Sequence, residues 1–319
     1  MNVPSTRILI CAPSNTAVDE LVLRVLTSGI RGADGRKYAP GELNVIRVGI
    51  PGGHGGNHHG TTPRGVLPDR KDQTLHESVS LDFLIERDRR AYEVKHDCAS
   101  GGAAAAGAAQ QMRNANANAN AFAGAWSAAA RNKERMPSRS ELSLQYLQNA
   151  HVVCCTLSGA GSQPLLEYVL NYTKGALPGT NTGRKPHLKP FGAVIIDEAA
   201  QATEPACLVP LRYDPPQVVL VGDPAQLQPT LRSMAAKAIG YGRSLFERLC
   251  DTATPAGEAL STTGKGKAGG AGLSTGAGGR RGSSVSGTSG VPYHRLSMQY
   301  RMLPVLAQFP SDQWYDGQL

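Results

Sequence analysis

The sequence predicts an α/β fold in which a parallel sheet carries helices on both faces. Four apolar runs, residues 7–11, 151–156, 193–196 and 217–221, are separated by helical and irregular stretches too long for hairpins. Runs that stay apolar without alternation suit strands buried on both faces, and long crossovers suit parallel pairing. Each run also ends in small polar or acidic residues. In sheets of this kind ligands bind beyond the carboxyl ends of the strands.

Arg7 to Cys11 reads as the first strand, and Ala12-Pro13-Ser14-Asn15-Thr16 turns the chain. Apolar residues at 18, 21, 22, 25 and 26 give helical spacing over Ala17 to Leu26, which Ser14, Asn15 or Thr16 can cap. Asn44 to Ile50 is a further strand. Residues 51–65 form a Gly/His stretch with His54, His58 and His59. Its glycines would not hold metal ligands in place, so a plain loop is the better reading. Residues 75–97 read as a polar helix with a thin stripe at Leu75, Val79, Phe83 and Ala91. The Ala/Gly/Asn tract 99–130 buries little and is expected to be a disordered insertion. A helix resumes from Ser138 to Asn149, followed by the strand His151 to Thr156 and the strands at 193–196 and 217–221. Residues 253–290, rich in Gly, Ser and Thr with Lys265, Lys267, Arg280 and Arg281, are expected to be a flexible basic insertion. Structured sequence returns at Pro292.

The 319 residues could hold two domains. Thirty-three basic against 25 acidic residues give a net charge of +8, which favours a polyanionic partner. None of the six cysteines forms a C-x-x-C pair, so neither a zinc site nor a disulfide framework is signalled. Cys11, Cys154, Cys155 and Cys207 sit in or near apolar runs and are expected to be buried thiols in a reducing compartment. No secretory leader is expected from the N-terminal residues, and no stretch is apolar for long enough to span a bilayer. Without a leader, the sequon Asn171-Tyr172-Thr173 is read as chance.

Four constellations carry chemistry. Val194-Ile195-Ile196 ends in Asp197-Glu198-Ala199-Ala200-Gln201. An acid at a strand end can hold magnesium, which prefers oxygen ligands, and its neighbour can orient an attacking water. Two adjacent carboxylates in a half-buried place are costly without a cation. A solvated helix start, where acids are also favoured, is the plain alternative. Gly222-Asp223-Pro224-Ala225-Gln226 follows the next run, and Gln226 can reach a phosphate oxygen or a water. Gln299-Tyr300-Arg301-Met302 supplies a planar cation suited to phosphate oxygens, though alone it reads as a surface arginine. Ala12-Pro13-Ser14-Asn15-Thr16 and Thr156-Leu157-Ser158-Gly159 offer hydroxyls and amides to a phosphate backbone, or simply cap helices.

Taken in order, these segments resemble the senataxin-like and nonsense-mediated-decay type superfamily 1 helicases, the DNA2/NAM-seven-like group. Val45-Ile46-Arg47-Val48-Gly49, the helix near 80–97, Phe309-Pro310-Ser311 and Trp314-Tyr315 add to the likeness. The resemblance implies a RecA-like P-loop NTPase fold and ATP-driven 5′-to-3′ translocation on single-stranded RNA or DNA. It implies that Asp197 holds Mg²⁺, Glu198 activates water, Gln226 senses the γ-phosphate and Arg301 stabilises transferring charge. Gly222 and Asp223 would line the ATP site. Pro13, Ser14, Asn15, Thr156 and Ser158 would touch the nucleic-acid backbone. Residues 1–43 and 151–250 would form a partial first RecA-like domain, with 44–150 an inserted barrel and stalk. Residues 251–290 would be a disordered insertion, and 291–319 the start of a second RecA-like domain. The resemblance also implies RNA-processing or decay partners and no membrane. The expected compartment is the nucleus or cytoplasm, the nucleus ahead.

The family's phosphate loop, G-x-x-x-x-G-K-[ST], is not in the sequence; Thr263-Gly264-Lys265-Gly266-Lys267 lacks the earlier glycine. The expectation is therefore a fragment of a longer helicase with little ATPase of its own. The alternatives are a non-catalytic nucleic-acid-binding or scaffolding remnant, and a RecA-like ATPase acting on proteins.

Overall fold

The computed structural model describes residues 7–32, 35–39, 41–49, 78–99, 136–174, 189–251, 254–255 and 291–318. Five parallel strands form the main sheet: β1 (Ile8–Ala12), β4 (Val45–Arg47), β5 (Val152–Thr156), β6 (Ala193–Ile196) and β7 (Gln217–Leu220), in the order β4-β5-β1-β6-β7. Between β1 and β4, a small antiparallel ribbon pairs β2 (Ile30–Arg31) with β3 (Lys37–Tyr38). The predicted α/β architecture is borne out, and Val45–Arg47, at the head of the segment expected to be inserted, is one of the two outer strands of this sheet.

Alternation along β5 explains how both faces are covered. Val153 and Cys155 point into one core with Leu9, Cys11, Val194 and Ile196. Val152 and Cys154 point to the opposite side, where they meet Val18 and Val22 of α1 (Asn15–Ser28). The larger core is roofed by α3 (Arg139–Asn149) and α4 (Gln163–Thr173). Both α1 and α3 begin on serine caps. Ser14 Oγ accepts from the Ala17 amide at 3.1 Å, and Ser138 with Glu141 closes a full capping box. Asn44 and His151 clamp the start of β5: the Asn44 amide donates to His151 Nδ1 at 2.9 Å.

Two expectations are corrected. In α2 (Leu81–Ala99) the buried face is Leu81, Leu84 and Ile85, not the stripe through Phe83 and Ala91. Spacing of three and four residues lays Leu81, Leu84 and Ile85 on one side, against Leu142 and Tyr146 of α3. Leu75 lies outside the described residues; Val79 is buried. The second correction concerns β7, read as a buried strand. It is an edge: Val218 and Val219 are 44 % and 48 % exposed. Among the described residues β6 is its only strand partner.

Cys11, Cys154, Cys155 and Cys207 are buried and free, as expected. Burial pushes the Cys154 thiol up to about 12, so it behaves as a small apolar side chain rather than a nucleophile. Between β6 and β7 lies α5 (Glu204–Leu211); beyond β7 come α6 (Met234–Ala238), α7 (Leu245–Cys250) and α8 (Pro304–Trp314), and β8 (Thr254–Pro255) pairs with β9 (Pro292–Tyr293). The Gly/His loop, the Ala/Gly/Asn tract and most of 253–290 lie outside the described residues. No described helix is long and apolar enough to cross a membrane.

Candidate active site

The site is built where β6 and β7 end side by side. Ile196 finishes β6 in the core, and the next amide, Asp197 N–H, still donates to the Cys11 carbonyl at 2.8 Å. Glu198 then turns left-handed, with φ 52 and ψ 36. A residue with a Cβ holds that conformation only at a cost of about 1–2 kcal/mol, so the surrounding bonds fix it. Gln201 supplies one of them, donating from Nε2 to Glu198 Oε2 at 2.8 Å. Both acids are half-buried. The Asp197 carboxylate takes no hydrogen bond or ion pair among the described residues.

The β7 end is fastened to this turn. Val221 N–H donates to the Ile196 carbonyl and Ala199 N–H to the Val221 carbonyl, both at 2.8 Å. Gly222 comes so close that a Cβ there would sit 2.9 Å from the Ala200 nitrogen and 3.2 Å from that of Ala199. Only glycine lets the two turns touch this closely, so the turn that carries Asp223 packs against the one that follows the acids. Asp223 is the hub of its turn. Its Oδ1 accepts from the Ala225 amide at 2.9 Å, and its Oδ2 from Gln226 Nε2 at 2.7 Å and from the Tyr315 hydroxyl at 2.6 Å. Tyr315 follows α8, 92 residues on. The bond to Asp223 and then burial hold its phenol above the ordinary range.

A second surface lies at the ends of β1 and β5. The Leu157 amide donates to the Ala12 carbonyl at 3.0 Å, which sets the 156–158 turn beside Pro13 and Ser14. Thr156 Oγ1 accepts from the Gly159 amide at 3.0 Å and lies 3.3 Å from Ser158 Oγ. Ser14, Asn15 and Ser158 are exposed. Asn15 Oδ1 accepts from Arg47 Nη2 at 3.0 Å. Among the described residues the Arg301 side chain makes no hydrogen bond or ion pair to either surface. The residue lies in an exposed turn held by Gln299 Oε1, and its guanidinium reaches none of Asp197, Glu198 or Gln226.

The donor set suits a hydrated magnesium ion and a phosphate. Magnesium takes one or two carboxylates and completes its shell with water and phosphate oxygens. Asp197 is the carboxylate placed here that could serve as such a ligand, with Glu198 next to it. The described residues hold no group of three or more acid, histidine or cysteine ligands that would cage a metal on its own.

A family model described as an AAA domain matches residues 1–234. The chain belongs to this family. Its members are P-loop NTPases of RecA-like fold, and this chain falls among the DNA2/NAM-seven-like superfamily 1 helicases. The chain is 30 % identical to Probable helicase MAGATAMA 3 of Arabidopsis thaliana, over 98 % of its own length and 24 % of that protein's. It is 29 % identical to Helicase sen1 of Schizosaccharomyces pombe, over 98 % of the chain and 16 % of the relative. It is 27 % identical to ATP-dependent helicase upf1 of the same yeast, over 98 % of the chain and 22 % of the relative. The chain thus spans a quarter or less of the length of these helicases. Three contacts in this chain were not foreseen from sequence: Gln201 to Glu198, Tyr315 to Asp223, and Arg47 to Asn15. Only Arg47 left a signal, as a lone charge inside the apolar run Val45-Ile46-Arg47-Val48.

Proposed function

We propose that this chain is the motor segment of an ATP-dependent helicase that moves along single-stranded RNA or DNA. The observation that carries the reading is the Gly222 contact, which packs the turn of Asp223 and Gln226 against the backbone that follows Asp197 and Glu198. In this reading Asp197 holds the metal and Glu198 takes a proton from the attacking water. Gln226 leaves Asp223 to meet the γ-phosphate, and Arg301 approaches from the second domain. Asp197 would hold Mg²⁺, whose charge would offset the negative charge that develops on the phosphates. Pro13, Ser14, Asn15, Thr156 and Ser158 form the track for the nucleic-acid backbone. The domain division is proposed likewise: 1–43 and 151–250 as a first RecA-like domain, 44–150 interposed and giving its first strand to the same sheet, 251–290 a linker and 291–319 the start of a second. RNA-processing or decay proteins are the proposed partners, in the nucleus or cytoplasm.

The test is ATP turnover stimulated by single-stranded nucleic acid, in the natural gene product and its Glu198→Gln variant. Loss of a general base should lower turnover by about 10²–10⁴-fold; unchanged turnover would overturn the assignment. The 319 residues contain no phosphate loop, so the chain alone should turn over little or no ATP. Robust magnesium-dependent turnover by the chain alone would refute that.

A further inference from the structure

We propose that Arg47 is a positioning residue that turns the Asn15 carboxamide so that its NH₂ group faces an acceptor on the nucleic-acid backbone. The inference rests on the reading of Asn15 as part of the track. Arg47 stands in β4, with its side chain 0 % exposed. A guanidinium stays charged, and burying it costs several kcal/mol unless its charge and donors are met. Asp19 meets the charge: Nε donates to Asp19 Oδ1 at 2.9 Å. Nη1 reaches the Val48 carbonyl at 3.3 Å. Nη2 goes to Asn15 Oδ1 at 3.0 Å.

That last contact does more than balance charge. Asn15 and Asp19 are four residues apart on α1, so one planar fork spans both. Arginine has donors only, so it can bind the amide oxygen and never the amide nitrogen. The carbonyl of Asn15 is therefore drawn inward, and Nδ2 turns to the exposed side, at the strand ends beside Ser14 and the Thr156 turn. An outward NH₂ complements phosphate oxygens. A lysine at 47 could pair with Asp19 but has no planar fork to hold Asn15 as well.

The test is fluorescence anisotropy of a labelled single-stranded oligouridylate with the 319-residue chain at fixed ionic strength. Asn15→Ala should weaken binding about tenfold, the scale of one hydrogen bond to a charged group. Arg47→Lys should weaken it by a similar factor in the unaltered chain, with no further loss in the Asn15→Ala background. Asn15→Asp keeps an acceptor for Arg47 but sets an oxygen toward the phosphates, so it should bind more weakly than Asn15→Ala while melting no lower than the unaltered chain. Equal losses from Arg47→Lys in both backgrounds overturn the proposal, as does Asn15→Asp binding as tightly as the unaltered chain. If Arg47→Lys does not fold, Asn15→Asp against Asn15→Ala still decides. Thr156→Ala and Ser158→Ala separate the two levels. If they weaken binding and Asn15→Ala does not, the track stands and this proposal falls. If none of the three weakens binding, or the unaltered chain binds nothing, the track itself falls.

Discussion

At residue scale the site depends on one missing side chain. Gly222→Ala would put a methyl group 2.9 Å from a backbone nitrogen, where no side-chain rotation relieves it. One of the two turns must move, at about 1–3 kcal/mol. A lower urea midpoint with an unchanged slope is the expected result; an unchanged midpoint would mean the turns yield freely. From sequence, Gly222 is legible as a turn residue. Its contact is not, because the atoms it approaches belong to the turn after another strand. The candidate acids and Gln226 stand out for the opposite reason: the acids follow directly on an apolar run and Gln226 lies in the turn after the next one, and strand ends in a parallel sheet share one rim. Tyr315 carries no such mark, since only the folded chain brings it to Asp223.

At the scale of elements, the start of β5 makes stability depend on pH. His151 accepts the Asn44 amide at Nδ1, which requires a neutral ring there. Burial, and then the charge of Arg7, lower its pKa below the ordinary 6.5. The unfolded chain therefore binds the proton more readily than the folded one. Stability from this group is complete above about pH 6.5 and falls as pH drops below that value. Thermal melts between pH 7.5 and 5.5 should show a decline that His151→Gln makes shallower; identical slopes would remove His151 as the cause. Helices α1 and α3 were legible in extent, because spacing and serine caps mark them. The face of α2 was not, since a polar helix with few apolar residues admits two phases and only Leu142 and Tyr146 of α3 decide between them.

For the whole molecule, the class of sheet was legible and its order was not. Apolar runs declare buried strands, but nothing in them says which run lies at an edge. The run that proved exposed, β7, keeps the composition of an interior strand. An apolar edge with unpaired backbone groups invites another strand. The purified chain should therefore self-associate at concentrations of about 10–100 μM, in the range where exposed edges drive association. Val219→Lys should shift sedimentation toward monomer; an unchanged distribution would acquit this edge.

The central position of β1 also bears on how the protein is made. Its sheet neighbours are β5 and β6, and Cys11 must wait for Cys155, 144 residues later. At about 5–20 residues per second, the ribosome needs roughly 7–30 s to supply that neighbour. During that interval Leu9 and Cys11, which end wholly enclosed, have no strand to lie against. A strand made before both of its sheet neighbours is completed late, so newly made chains are open to chaperones and proteases until β5 emerges.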